Sequence, residues 1–261
     1  MEAGSALVGA KPAAAVPHPG PAHPASIEAG SHVLVAEDHD VNQLLILAML
    51  RQIGCNGILA ANGKEALDMV EAARATGRPY DLLLMDIQMP VMDGPEATRR
   101  IRALGISASE LPIVALTANA YAEDVSACLT AGMQDHLAKP VTLASLESAL
   151  RRWSNHGVGA SPLASPKKAL TISPKVRERY QLRKVEALRA LDELVRRGSF
   201  SDAELIEVAA LMHKLAGTAA MFEDVELGDR ASALEEGIGD WDVESRADKI
   251  CAAVEAIRRA A

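Results

Sequence analysis

The sequence has few aromatic residues and few cysteines, and it lacks a long apolar run. Phe, Trp and Tyr together make up 3% of its 261 residues, so any core must be built from aliphatic side chains. Cys55, Cys128 and Cys251 lie far apart and not at the spacing of metal ligands, which predicts reduced thiols in a cytoplasmic protein. Because no apolar run approaches the ~20 residues of a membrane span, we expect no membrane contact by this chain.

The chain also lacks an excess of basic residues. Its formal net charge is −8, which argues against binding to nucleic acid or to anionic membranes. A DNA-binding transcription factor would need a basic recognition helix, and the helical pattern at 201–222 contains Lys214 as its only Lys or Arg. Five prolines between positions 12 and 24 interrupt any signal-peptide core.

Composition divides the chain into four segments. Residues 1–31 are rich in Ala, Pro and Gly, which predicts a disordered tail or linker. Residues 32–153 alternate short apolar runs with amphipathic stretches. Residues 154–173 are rich in Gly, Pro and Ser and predict a flexible linker. Residues 174–261 show the helical period alone, so a second domain is expected there.

The segment 32–153 predicts an α/β domain. Strands alternate with helices, which implies a doubly wound parallel sheet of five strands with helices on both faces. In such a sheet, ligands bind beyond the carboxyl ends of the strands. The predicted strands lie at 33–36, 57–60, 82–85, 113–116 and 136–138, and the helices at about 40–53, 63–75, 94–103, 120–130 and 142–152.

The segment 174–261 predicts an all-α domain. Four amphipathic helices with short connections indicate a four-helix bundle. Two of them have clear start signals, because Ser173 precedes a proline at the first helical position and Ser201 with Glu204 forms a capping box. The predicted helices lie at about 174–197, 201–222, 225–237 and 242–260.

Polar residues follow four of the predicted strands. Glu37 and Asp38 follow the first, Asp86 the third, Thr117 the fourth and Lys139 the fifth. In a parallel sheet these positions lie at one edge, where three carboxylates would repel one another unless a cation lay between them. Mg²⁺ prefers such oxygen ligands. It would also screen the charge of an incoming phosphoryl group.

This set of residues predicts phosphoryl transfer to a carboxylate. Asp86 would be the nucleophile and would form an aspartyl phosphate. Lys139 adds a second positive charge, and the Thr117 hydroxyl can donate to a phosphoryl oxygen. Each residue alone also fits a structural role, such as a helix cap or a turn, but four such elements at successive strand ends favour a functional site. Asp93 is expected to cap the helix that begins with Pro95 in its first turn.

The motif Met-Asp-Ile-Gln-Met-Pro-Val-Met-Asp-Gly at 85–94 resembles the receiver domain of two-component response regulators. It is most similar to receivers fused to hybrid histidine kinases. The resemblance covers about 32–153 and implies a flavodoxin-like fold in which Asp86 is phosphorylated. His136 stands where the family commonly has an aromatic switch residue. We expect His136 to be a half-buried residue of the edge strand, with a pH-sensing role as the alternative.

The same resemblance implies a set of ligands. Mg²⁺ would be held by Asp38, Asp86 and the backbone carbonyl of Gln88, while Glu37 would act through water. Phosphoryl oxygens would be bound by Thr117 and Lys139.

The second candidate site is His213, in the predicted helix at 201–222. At ~100° per residue, the apolar side chains of this helix form one core-facing stripe, and His213 lies to its side, so its ring should be partly exposed. Gly217, one turn later, leaves room for a docking partner and a phosphoryl group. A glycine inside a helix costs ~1 kcal/mol of helix propensity relative to alanine. A neutral imidazole is a competent nucleophile near neutral pH. A lone helical histidine is otherwise usually a boundary residue. The stripe consists of Leu205, Val208, Met212, Leu215 and Ala219.

The segment 212–222, Met-His-Lys-Leu-Ala-Gly-Thr-Ala-Ala-Met-Phe, resembles a histidine phosphotransfer domain, with coverage of about 171–261. This resemblance implies that His213 accepts a phosphoryl group and docks receivers. The family often has a lysine three residues after the histidine, where this chain has Ala216. Lys214 is expected to point ~100° away from His213.

Two other positions near this motif need interpretation. Glu223 replaces a small residue, often glycine, that is common after the phenylalanine in the family. Leu234 and Glu235 are interpreted as helix packing and a solvated charge.

Together the two sites predict a phosphorelay protein. It would accept a phosphoryl group on Asp86 and transfer it through His213, with a histidine kinase domain upstream and a response regulator receiver downstream as partners. We expect the chain to be the C-terminal part of a hybrid histidine kinase. It has no recognisable ATP-binding glycine-rich element, so phosphotransfer but no ATP-dependent autophosphorylation is expected. One alternative is a phospho-regulated module whose bundle only binds partners, and another is a phosphate sink. Transfer in cis and in trans both stay open.

Overall fold

The computed structural model describes residues 30–118, 122–153, 172–198 and 200–261. The predicted tail at 1–31 and the predicted linker at 154–173 fall almost entirely outside these ranges. The division of the chain into domains therefore stays a prediction.

The N-terminal part is a five-stranded parallel sheet with helices on both faces, as predicted. The strands lie in the order β2-β1-β3-β4-β5, and every pair is parallel. Each strand lies within one residue of its predicted limits, and α4 is described from Ala122 onward. The elements are β1 His32–Ala36, α1 Asp40–Ile53, β2 Asn56–Ala60, α2 Gly63–Ala75, β3 Leu82–Asp86, α3 Gly94–Ala103, β4 Ile113–Thr117, α4 Ala122–Ala131, β5 Asp135–Ala138 and α5 Leu143–Trp153.

The alternation of side chains along the strands divides the core into two layers. Val33 and Val35 point to the face covered by α1 and α5, whereas Leu34 and Ala36 point to the face covered by α2 and α3. All residues of β3 and β4 are buried, which explains why their sequences are continuously apolar.

Side-chain caps set the starts of α2 and α3. The Asn62 side chain accepts a hydrogen bond from Glu65 N, and Asp93 accepts one from Glu96 N at 2.7 Å. Asp93 is therefore the cap that the sequence predicts. These caps place α2 and α3 directly after the strand-end loops.

The C-terminal part is helical. It contains α6 Pro174–Arg197, α7 Asp202–Ala219, a 3₁₀ turn Ala220–Phe222, α8 Val225–Asp240 and α9 Val243–Ala260. Helix α6 packs against α7 and α9, and α8 packs against the same two helices. Ser173 caps α6, and Ser201 with Glu204 forms the predicted capping box of α7.

Helix α8 runs three residues beyond its predicted end at 237. The reason lies at Gly237, where an added Cβ would come within 2.2 Å of the Trp241 ring. Gly237 therefore does not end the helix but makes space for the Trp241 indole, which packs back onto it. Trp241 N then donates to Gly237 O at 2.9 Å, just beyond the end of the helix.

Helix α7 and its 3₁₀ turn form a segment of 21 residues with a mean hydropathy of 1.3 in its most apolar window. By length and composition alone this segment is apolar enough to cross a membrane, which is a weak indication because core helices pass the same test. Here the predicted stripe of five apolar residues is buried in the core, as the helical period requires.

One apolar cluster spans both parts of the chain. It joins Leu45 and Ile46 on α1 to Leu191 on α6 and Leu215 on α7. Helix α1 packs against both α6 and α7. The helical part therefore covers the face of α1 next to the carboxyl end of the sheet.

Candidate functional site

The predicted carboxylate site forms at the carboxyl edge of the sheet. Glu37 and Asp38 directly follow β1, Asp86 ends β3, and Lys139 directly follows β5. One oxygen from each of Glu37, Asp38 and Asp86 lies within 4.8 Å of the others. These residues converge because the strands are parallel and their ends share one edge.

Lys139 bridges two of the three carboxylates. Its Nζ lies 2.6 Å from Asp86 Oδ2 and 2.9 Å from Glu37 Oε2. The side chains are 4%, 2% and 0% exposed, so the charges are shielded from water. A buried ion pair of this kind persists only where each charge keeps a partner.

Burial and mutual charge shift the pKa values of this pair. Burial, together with the charge of Asp86, raises the pKa of Glu37 above its ordinary value, against the opposing effect of Lys139. Burial alone would lower the pKa of Lys139, but Glu37 and Asp86 outweigh it and raise that pKa. Lys139 is consequently a permanent cation at the site.

The donor set fits a divalent metal ion. Three carboxylates at this spacing provide the hard oxygen ligands that Mg²⁺ prefers. Gln88 lies two residues beyond Asp86, and its backbone N–H donates to Asp86 Oδ1 at 3.4 Å. This contact holds the loop that carries the Gln88 carbonyl next to the cluster.

Thr117 and His136 lie on the neighbouring strands. Thr117 is the last residue of β4 and is buried, and its carbonyl accepts a hydrogen bond from Lys139 N at 2.7 Å. His136 is half-buried in β5, the edge strand, as the sequence predicts. Its pH-sensing role stays untested.

Asn42 supports the site, and the sequence analysis did not identify it. Its side-chain amide donates to Glu37 Oε1 at 3.1 Å, and the amide comes from the first turn of α1. The only sequence signal is a polar residue five positions after Glu37 on the face of a helix that is otherwise apolar. Burial of His39 beside it lowers the pKa of that histidine to about 4.

His213 lies on α7 with a side chain that is 14% exposed. It is thus partly accessible rather than enclosed among the helices. Its Nδ1 lies 2.9 Å from Glu235 Oε1 on α8. In the neutral ring this contact places the proton on Nδ1 and leaves Nε2 as a nucleophilic lone pair. The interpretation of Glu235 as a solvated charge was wrong, because α7 and α8 pack with these two residues facing each other.

Opposing effects act on the pKa of His213. Burial lowers it, but the hydrogen bond and the charge of Glu235 outweigh burial, so the pKa of His213 is raised. Lys139 of the sheet domain lowers this pKa and Asp86 raises it. The imidazole therefore lies within electrostatic reach of the carboxylate site.

Gly217 and Lys214 face the sheet domain. A Cβ at Gly217 would be 3.7 Å from Lys139 Cδ and 3.9 Å from Asn42 Nδ2, which is ordinary van der Waals contact. The helix therefore lies close to the site at Gly217, although the space there would also accept a Cβ. Lys214 does not extend into solvent, since its Nζ lies 2.5 Å from Asp38 Oδ2.

A cavity of about 770 Å³ opens between the β3–α3 loop and helices α7 and α8. Asp38 and Gln88 line it from one side, and His213, Lys214 and Glu235 line it from the other. His213 and two of the predicted metal ligands, Asp38 and Gln88, therefore border the same cavity.

Comparison with known protein families matches residues 33–151 to the response regulator receiver domain. The chain is 42% identical over 123 residues to the two-component response regulator ORR41 of Oryza sativa subsp. japonica, a match that covers 46% of this chain and 92% of the rice protein. It is 34% identical over 127 residues to the hybrid signal transduction histidine kinase L of Dictyostelium discoideum. That match covers 48% of this chain but only 7% of the kinase, so the chain spans a small part of this relative.

Among solved structures, the chain resembles the magnesium-bound receiver domain of the sensor histidine kinase PA1611 from Pseudomonas aeruginosa PAO1. The identity is 47% and the TM-score 0.42, with 48% of this chain and 98% of that chain covered. Through residues 33–151, this chain belongs to the response regulator receiver family of two-component phosphorelays, with relatives among hybrid histidine kinases.

Proposed function

We propose that this chain is a phosphorelay module in which Asp86 accepts a phosphoryl group and exchanges it with His213. One observation carries the proposal: the helix bearing His213 lies against the carboxylate site. Gly217, one turn beyond His213, approaches Lys139, and Lys139 is paired with Asp86. Asp86 and His213 are therefore arranged so that a phosphoryl group could pass from one to the other.

In the accepting step, an Asp86 oxygen attacks the phosphorus of a phosphohistidine on an upstream kinase domain. The P–O bond forms as the P–N bond breaks, and the electron pair returns to the donor imidazole. Lys139 and Thr117 bind the phosphoryl oxygens in this proposal. Lys139 is suited to that role because its ammonium group stays charged beside two buried carboxylates.

Mg²⁺ would be held by Asp38, Asp86 and the carbonyl of Gln88, with Glu37 acting through water. When bound, the ion supplies charge screening for the displacement at phosphorus. The fit of the donor set rests on the spacing of the three carboxylates.

In the second step, His213 Nε2 attacks the phosphorus of phospho-Asp86. The P–N bond forms, the P–O bond breaks, and Asp86 regains its carboxylate. Glu235 keeps the proton on Nδ1 and so keeps the Nε2 lone pair available. Chemistry of this type is reversible, so His213 exchanges the group with a partner receiver in the same manner.

We further propose that α6 to α9 form the four-helix bundle of a histidine phosphotransfer domain at 174–261, following a receiver domain at 32–153. The cyclic packing of the four helices supports a bundle. The chain would then be the C-terminal part of a cytoplasmic hybrid histidine kinase, with a histidine kinase domain upstream and a response regulator receiver downstream as partners.

The test is to incubate the chain with Mg²⁺ and acetyl phosphate and to locate phosphate by mass spectrometry. We expect label on both Asp86 and His213 in the unchanged protein, and on neither in Asp86→Asn. In His213→Gln, Asp86 should retain its label. Asp68→Asn, at an exposed carboxylate on α2, is the matched control and should behave like the unchanged protein.

Two outcomes would contradict the proposal. Labelling of His213 at the normal rate in Asp86→Asn would show that the imidazole does not take its phosphoryl group from Asp86. Labelled Asp86 with unlabelled His213 would favour the alternative in which the helices only bind partners.

A further inference from the structure

The interface between the helical part and the sheet domain is matched in charge. Asp40, at the start of α1, accepts two hydrogen bonds from Arg183 on α6, from Nε at 3.1 Å and from Nη2 at 2.9 Å. Arg179 Nε lies 3.4 Å from the same carboxylate. A bidentate pair of this geometry adds orientation as well as attraction.

Beside this pair a cavity of about 160 Å³ remains between the two parts, and Asp38 and Lys214 also line it. Further along the interface the two parts fit closely. The space between α1 and the residues Gly217 and Met221 is only about 10 Å³, close to the smallest volume that holds one water molecule. The apolar contacts of α1 with α6 and α7 provide the buried area of the interface. The ion pairs fix how the two parts are aligned.

The third charge contact involves the carboxylate cluster itself. Lys214 Nζ lies 2.5 Å from Asp38 Oδ2, and the Asp38 side chain is 10% exposed. Asp38 belongs to the group of three carboxylates that could hold a metal ion. The ammonium group of Lys214 and a divalent cation would therefore compete for the carboxylate of Asp38.

We propose that docking of the helical part and binding of a divalent cation to the carboxylate cluster weaken each other, because Lys214 competes with the cation for Asp38. This inference rests on the proposed metal site but not on phosphoryl transfer to His213. The chain's own helical part covers one face of α1. A bound cation favours the state in which the helical part is released from α1.

The competition acts in both directions. If docking through Lys214 lowers the affinity for the cation by some factor, the bound cation lowers the equilibrium constant for docking by the same factor. Weakening the Asp40–Arg183 pair should therefore raise cation affinity, although Arg183 does not belong to the carboxylate cluster.

The test measures Mg²⁺ affinity of the full chain by calorimetry at constant ionic strength. We expect Lys214→Met to bind Mg²⁺ about fivefold or more tightly than the unchanged protein. Arg183→Glu should bind more tightly as well, by a smaller factor. The control is Lys249→Met, which removes the same charge from an exposed lysine paired with Asp242 on the helical part, and it should leave the affinity unchanged.

A second measurement follows docking directly. Because a fivefold coupling shifts the docking equilibrium only modestly, the change should be visible in Arg183→Glu, where docking is already weakened. Small-angle scattering of Arg183→Glu should show a larger radius of gyration as Mg²⁺ is added, whereas the shared apolar cluster keeps the unchanged protein docked. Equal Mg²⁺ affinity in the unchanged protein and in Lys214→Met would overturn the competition while leaving the metal site intact. Absence of Mg²⁺ binding in every variant would overturn the metal site and the competition together.

Discussion

At the scale of single residues, the environment of His213 depends on one partner from another helix. Glu235 lies 22 positions further along the chain and accepts a hydrogen bond from the Nδ1 side of the ring. The contact orients Nε2 and raises the pKa of the imidazole in spite of burial. Glu235 is therefore a positioning residue in the proposed transfer, because it acts through His213.

Replacing Glu235 with Gln should lower the pKa of His213 to below its ordinary value, because burial then acts without the compensating carboxylate. A raised pKa in the folded state stabilises the protein fully below the unfolded pKa, and this contribution is lost as pH rises through the folded value. In the Gln variant the sign should reverse, because a lowered folded pKa makes the protein less stable as the pH falls below the unfolded pKa.

NMR titration of the His213 ring measures the change. Glu236→Gln, at the exposed neighbouring position of α8, is the control and should leave the titration unaltered. An unchanged pKa in Glu235→Gln would show that the hydrogen bond does not govern the imidazole.

At the scale of elements, most helix boundaries follow local signals. One turn, however, contains a residue other than glycine in a left-handed backbone conformation. Glu223 has a φ of 71° at the end of the 3₁₀ turn. This left-handed conformation favours glycine, and the motif commonly has a small residue at this position. The turn is held from outside, since Tyr180 on α6 stacks on Phe222 with ring centroids 4.0 Å apart and donates to Asp224 at 2.6 Å.

We expect Glu223→Gly to stabilise the helical part by about 1 kcal/mol, because glycine adopts a positive φ without the cost that a side chain imposes. Thermal unfolding should show a higher Tm. The same change at Glu207, an exposed position inside α7, should instead cost about 1 kcal/mol of helix propensity. A decrease in Tm for both variants would mean that the conformation at Glu223 is not strained.

At the scale of the whole molecule, the two parts share a hydrophobic cluster rather than lying side by side. The shared cluster includes α1, α6 and α7, and it continues from the sheet into the helices. Unfolding of one part would expose apolar surface of the other, so we expect a single calorimetric transition in the absence of Mg²⁺. The ion pair between Asp40 and Arg183 fixes how the parts meet.

Arg183→Asp should separate this transition into two, since it replaces attraction by repulsion at Asp40. The loss of attraction alone is about 1 kcal/mol, as is usual for partly exposed pairs. Combining it with Asp40→Arg should restore the single transition. Arg258→Asp, which disrupts an exposed ion pair with Asp192 inside the helical part, should not separate the transitions. Two transitions in the unchanged protein would contradict the shared core.

Much of the candidate site follows from sequence because it depends on topology. Once the strands are parallel, residues directly after them share an edge, and Glu37, Asp86 and Lys139 meet there for that reason. Their separation along the chain does not matter, because strand order brings them together. The contact of His213 with Glu235 was missed, because helical periodicity places a residue on a face of its own helix but does not identify the residue that faces it.

By itself, the sequence determined the strands, the helix caps and the edge where the carboxylates gather, because each depends on local hydrogen bonding or on side-chain periodicity. Only the tertiary structure decided that Lys214 pairs with Asp38 and that Arg183 pairs with Asp40, 143 positions away. These contacts depend on how two separately patterned surfaces pack together. Their geometry arises from shape and charge across the whole interface, and no short stretch of sequence contains that information.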